Sequence, residues 1–310
     1  MCSQGISEKL GKISIGIFCL LLSFPLTSLS MSNKSKSIEF VFCKFHFTQN
    51  LFSYSINQLI KDIEYAQTKN VTDSTDNVWH IGGITKSTID KESFVFGKLG
   101  KEGRRKKDST WDEQKKDFID IEDNTKRADY ARFVIDIGSY IIAIEQKYFI
   151  SPKSFIKKFL QFIPQERQPD VFLDFLTDKE NVYTKIASWE FFESAKFTLR
   201  PTNQDSDQDF SQLDKLVGDT GAGKAKIDFG LGNDTQKKSL SKKGKNVIQM
   251  AIAVASAGYG KFTLIGKNKD GETEKVISKN KRLRKKITIN DSFDMVGAIK
   301  KAIASIRNRG

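Results

Sequence analysis

Histidine and cysteine are almost missing from this chain. His46 and His80 are the two histidines in 310 residues, and Cys2, Cys19 and Cys43 are the three cysteines. No C-x-x-C spacing joins the cysteines, so neither a disulfide framework nor a Cys/His zinc site is supported. Neither histidine accompanies a nucleophile motif such as G-x-S-x-G, and a packed or surface role is expected for both. Trp (3) and Pro (5) are scarce as well. No internal repeat is visible, and no cofactor or metal is implied.

A long apolar run is also lacking. The best candidate, Ile13 to Ser30 (ISIGIFCLLLSFPLTSLS), has too short an apolar core for a membrane span and is interrupted by Pro25. Lys9 and Lys12 in front of it give it the look of a secretory signal peptide, but no clean A-x-A-like cleavage site follows. Met31 opens a sequence that reads as a natural start. The expectation is a cytoplasmic protein whose first thirty residues reflect an upstream start codon. The alternative is an exported protein whose basic part meets an anionic surface.

What the chain does contain is phenylalanine (24), an apolar fraction of 38%, a charged fraction of 29% and a net charge of +13. That composition describes a globular chain with a proper core. The charge is unevenly placed. Lys237 to Gly310 holds 19 Lys/Arg against 5 Asp/Glu, leaving 32 against 33 for the first 236 residues. Such asymmetry points to a polyanionic partner.

Pattern reading predicts an α+β chain with mixed or antiparallel sheets and packed helices. Alternation predicts a strand over 38–47, and helical spacing follows to Gln67. Strands are expected at 78–81 and 93–99, with Gly82-Gly83 breaking the first, and a charged loop at 101–117 precedes a strand at 118–122. In RFVIDIGSYIIAIEQK two β-branched runs flank Gly138-Ser139, a hairpin whose Ile135, Ile137, Tyr140, Ile142 and Ile144 share a buried face. Ser151-Pro152 opens a helix carrying Phe155, Phe159, Phe162 and Ile163. A strand–helix pairing fills 171–199. The division expected is a leader at 1–30, a domain over 31–200, a linker and Gly-rich loop over 201–236, and a small basic α+β unit over 237–310. In that last unit a helix (246–257), a hairpin across Asp270-Gly271, a strand (285–290) and a final helix follow one another.

Two motifs suggest chemistry and fail on context. GDTGAGKA (218–225) fits the phosphate-binding G-x-x-x-x-G-K-[ST] loop except at its last letter. Ala225 lacks the magnesium-ligating hydroxyl, and Gly230 and Gly232 prevent a helix from opening at Lys224. A Gly-rich loop feeding a strand is expected instead. Asp136 with Glu145-Gln146-Lys147 matches a D…E-x-K nuclease pattern, in which two carboxylates hold a metal and Lys assists water. With the turn at Gly138-Ser139, however, the carboxylates lie roughly 13 Å apart along the strands. A metal-dependent nuclease is the enzymatic alternative, and a non-enzyme is favoured.

The basic runs carry the main expectation. Arg104, Arg105, Lys106 and Lys107 lie in the charged loop, and Lys279, Lys281, Arg282, Arg284, Lys285 and Lys286 lead into a strand, with Lys267 and Lys269 on a neighbouring turn. Six such cations on a strand edge could track phosphates, with a log–log salt slope on duplex DNA of about −5. Nothing looks like a base-reading helix, so these contacts position rather than read. The segments RFVIDIGSYIIAIEQKYFISPKSFIKKFLQFI and GKFTLIGKNKDGETEKVISKN resemble, in the order of their elements over residues 90 to 310, phage-exclusion proteins of the RexA type and related defence-locus proteins. The resemblance implies a cytoplasmic DNA-binding role in antiviral defence. It carries over no functional residue. A homo-oligomer or a partner defence protein is carried as a further partner beside the nucleic acid.

Overall fold

The computed structural model describes residues 36–47, 54–102, 107–112, 117–122, 128–202, 223–231, 239–242, 246–289 and 294–307. The leader segment, most of the expected linker, Gly218 to Ala222 and Arg104 to Lys106 lie outside them.

The fold is organised around β1 (Lys36–Phe47), whose KSIEFVFCKFHF is apolar on both sides of the pleat. Such a strand is stable only where both faces are covered. On one side β1 pairs with β8 (Ile141–Glu145), which pairs in turn with β7 (Ala128–Asp136), β4 (Glu92–Glu102), β3 (Val78–Ile89) and β2 (Asn70–Thr72). The other side of β1 is shared. Its first half pairs with β14 (Arg284–Ile289) and its second half with β9 (Val171–Phe175), all antiparallel. The two partners meet at Phe42, where Phe42 N–H donates to Leu283 O and Phe42 O accepts from Leu176 N–H.

One face of this sheet is covered by α1 (Ile56–Ala66) and α2 (Pro152–Gln161). There Cys43, Phe45, Phe133, Ile135, Ile142 and Ile144 pack against Leu59, Ile63, Phe155 and Phe159. The opposite face, with Ile38, Phe40, Phe42, Val134 and Ala143, lies under Met295, Ile299 and Ile303 of α5 (Asp294–Arg307). Capping follows the sequence: the Ser55, Ser151 and Asn246 side chains accept from the N–H of Gln58, Ser154 and Gln249.

The second sheet, in the order β11 (Ala225–Gly230), β10 (Phe191–Leu199), β12 (Gly260–Lys267), β13 (Thr273–Ile277), has its own core. Trp189, Phe192, Leu264 and Val276 pack with Val182 of α3 (Lys179–Ala187) and Ile252 of α4 (Val247–Val254). The Trp189 indole donates to Glu274, which also pairs with Lys185 at 2.6 Å, and this ties α3 to β13. The indole lies against Gly266, where a Cβ would collide with its ring. A third, two-stranded sheet joins β5 (Lys107–Asp112) to β6 (Asp117–Glu122).

The α+β class with antiparallel sheets matches the expectation. Three local readings change. Gly82 and Gly83 do not end a strand: Gly83 takes φ +62° in a bulge, and β3 continues to Ile89. Part of the charged loop, 107–112, is a strand. Residues 237–310 are not a self-contained unit, because β14 and α5 return to the first sheet while β12 and β13 belong to the second. Residues 35–310 form one compact unit. Among the described residues, no helix is long and apolar enough to cross a membrane.

Candidate nucleic-acid interface

Strand alternation sorts the basic run KNKRLRKK into groups with different fates. Leu283, Lys285 and Ile287 face α5. Leu283 and Ile287 join its core, and the Lys285 ammonium donates to Ala302 O at 3.3 Å and to the Ser305 hydroxyl. Lys285 thus holds the last turns of α5. Arg282, Arg284 and Lys286 point to the other face, spaced by about 6.6 Å at two residues per step. The Arg282 guanidinium lies 3.9 Å from the centroid of the Phe175 ring, and burial pulls its pKa below the ordinary guanidinium value. Arg284 is exposed, with Glu39 at 3.8 Å, and Lys286 is exposed opposite Glu39 in the ladder. The outer edge of β14 is unpaired among the described residues.

The other expected cations do not join this row. Lys281 donates to Asn181 at 2.7 Å, at the start of α3. Lys279 is exposed in the 3-10 turn before it. Lys267 pairs with Glu193 at 3.2 Å, and Lys269 is exposed on the β12–β13 turn. That turn is separated from Ser278 by the length of β13, roughly 16 Å at ~3.3 Å per residue. Lys107 opens β5 opposite Glu122. Of the eight cations expected in the C-terminal unit, exposed Arg284 and Lys286 share one face with half-buried Arg282, while exposed Lys269 and Lys279 lie apart.

The nuclease constellation is taken apart by the hairpin. Asp136 pairs in register with Ile141, as the turn position requires, and Arg132 stands opposite Glu145. Val134 and Ala143 fill the buried face between the two carboxylates. Asp136 accepts from Ser139 Oγ at 2.6 Å and from Gly138 N–H at 3.1 Å, so it organises the turn. Glu145 accepts from Arg132 Nε at 2.9 Å and Nη2 at 3.0 Å, and from Arg132 N–H at 3.1 Å, with Lys147 at 2.9 Å. Burial disfavours its ionised form, but these donors outweigh burial and lower its pKa. No group of three His, Cys, Asp or Glu side chains suited to a metal occurs among the described residues.

The strand–loop reading of 218–225 agrees with β11 opening at Ala225, directly after Lys224. His46 is a packed histidine. It alternates with Phe45 on β1 and faces the turn that follows α4, where the chain passes through Gly258 at φ +91°. His46 Nε2 donates to Gly258 O at 2.5 Å, and the ring lies 4.7 Å from that of Tyr259. Burial lowers its pKa to about 4, so it is neutral near pH 7. Beside it, buried Asp174 pairs with Arg200 at 3.2 Å and Lys261 at 3.4 Å. These groups fasten the second sheet to β1 and β9.

Sequence reasoning missed Tyr148 and Phe149, which stand in solvent between β8 and α2. They are 93% and 63% exposed, with ring centroids 5.0 Å apart. Two adjacent aromatics just past the end of an alternating strand were the available signal.

The family profile of a domain of unknown function, DUF4747, matches residues 37–304, from β1 through most of α5. The chain belongs to the DUF4747 family. The DUF4747 match spans both large sheets, so strand β14 and its cations lie within the family domain. No curated protein matches the sequence.

Proposed function

We propose that this DUF4747 protein binds nucleic acid through the phosphate backbone without catalysing a reaction on it. The reading rests on one observation: exposed Arg284 and Lys286 project from one face of the edge strand β14, and Arg282, just before the strand, lies on the same side against Phe175. Cations at regular steps along a strand fit a repeating polyanion, and attraction to phosphates is strong without sequence readout. DNA in the cytoplasm is the favoured partner. The defence setting rests on the resemblance of the central and closing segments to phage-exclusion proteins.

The test is the charge-reversed pair Arg284→Glu with Lys286→Glu, both on exposed side chains. The expected outcome is loss of DNA retention in a mobility assay at low salt, with thermal unfolding unchanged. Undiminished retention by the folded variant rejects β14 as the interface.

A further inference from the structure

Tyr148 and Phe149 are neighbours in sequence and meet edge to face, yet neither is buried. Their position relative to β14 follows from the ladder. Gln146 N–H donates to Glu39 O at 2.9 Å, adding one rung beyond the end of β8. Glu39 is in turn the register partner of Lys286. Gln146, Glu39 and Lys286 therefore stand in a row across three strands, about 10 Å wide at ~4.8 Å per strand. The aromatic pair begins two residues beyond this row. Ile150 then enters the core shared by Phe155 and Phe159, on the sheet face to which Arg284 and Lys286 point. Rings and cations thus border one corner of the sheet.

We propose that this corner binds single-stranded nucleic acid, with Tyr148 and Phe149 stacking unpaired bases while Arg284 and Lys286 hold the adjoining phosphates. The inference rests on the nucleic-acid reading above and adds the strandedness of the ligand. A positively charged track beside aromatic faces is the arrangement that suits single strands, since unpaired bases offer free π-faces and a duplex interior does not. The aromatic loop also explains why a short cation row can suffice: part of the affinity comes from stacking rather than charge. Glu39 lies beside the cations, 3.8 Å from Arg284, and opposes a phosphate there.

The experiment uses fluorescence anisotropy of the full chain with a labelled oligodeoxythymidine, its RNA counterpart, an abasic strand of equal length and a duplex. Either single strand, DNA or RNA, should bind more tightly than the duplex. Tyr148→Ala with Phe149→Ala should weaken single-strand binding about ten-fold or more. The same variant should leave duplex and abasic binding and thermal unfolding unchanged. Glu39→Gln should tighten binding of every probe. Single strands bound no better than duplex, or an aromatic variant equal to the parent, overturns the inference and leaves backbone binding standing if Arg284→Glu with Lys286→Glu still abolishes it. No retention of any probe at low salt overturns both readings.

Discussion

At the scale of single residues, burial decides which polar groups are structural. His46 binds its proton less well in the folded chain than in the unfolded one, because burial opposes the imidazolium and lowers the pKa from 6.5 to about 4. As pH falls, the unfolded chain protonates first. The stability contributed by neutral His46 is complete above about pH 6.5 and is lost as pH descends towards 4, a change of about 3 kcal/mol. His46→Gln can keep an amide donor for Gly258 but does not titrate. Its urea midpoint should therefore fall less than the parent's between pH 7 and 4, and parallel falls would remove His46 as the cause. Glu145 supplies a second case. Arg132→Leu leaves a buried carboxylate with Lys147 as its remaining ion-pair partner, and should cost about 3 kcal/mol in denaturant titration. Combining it with Glu145→Leu should recover most of that loss, since the stranded charge is then gone.

At the scale of elements, α5 and β14 act together. Ile299 is fully buried between α5 and the face of β1 carrying Phe40 and Phe42. Ile299→Ala should cost about 3 kcal/mol through lost burial and a residual cavity, read as a drop in the urea midpoint with an unchanged slope. A near-neutral effect would mean that α5 contributes little to this core. The element scale also shows what could be read in advance. The β7–β8 hairpin was legible because its turn and its alternating apolar residues are local signals, and Ile135, Ile142 and Ile144 do share a face. The proline-headed α2 and the final helix were legible for the same reason. The 107–112 strand was hidden by charge: KDSTWD carries no apolar alternation, and its pairing to DFIDIE supplies the structure. The Gly82-Gly83 bulge reads as a break in the sequence because glycine marks both, and the continuing ladder to β4 distinguishes them.

At the scale of the whole molecule, the basic excess of the last quarter is spread over different surroundings. Lys267 faces Glu193, Lys285 anchors α5, Lys300 pairs with Asp90 at 2.7 Å, and half-buried Arg282 shares one face with exposed Arg284 and Lys286. That distribution sets an expected magnitude. Three phosphate contacts give a log–log salt slope of about −3 on duplex DNA and about −2 on a single strand, against about −5 for the six contacts expected from the run itself. Titrating binding against salt measures it, and a slope near −5 would require cations beyond β14.

The sequence alone determined the class of fold, the local hairpins, the helix caps and the uneven charge, because each depends on neighbours within a turn or a strand. It also showed that a complete P-loop was absent, for want of a hydroxyl at Ala225. Only the tertiary structure decided that β14 leaves the hairpin before it to pair with β1, more than two hundred residues away in the chain. That pairing fixes which side α5 covers, and so which cations are buried and which remain in water. It also brings the loop of Tyr148 and Phe149 to the same corner. The physical reason is that strand pairing over long separations depends on which faces must be covered, and local residue patterns do not encode that choice.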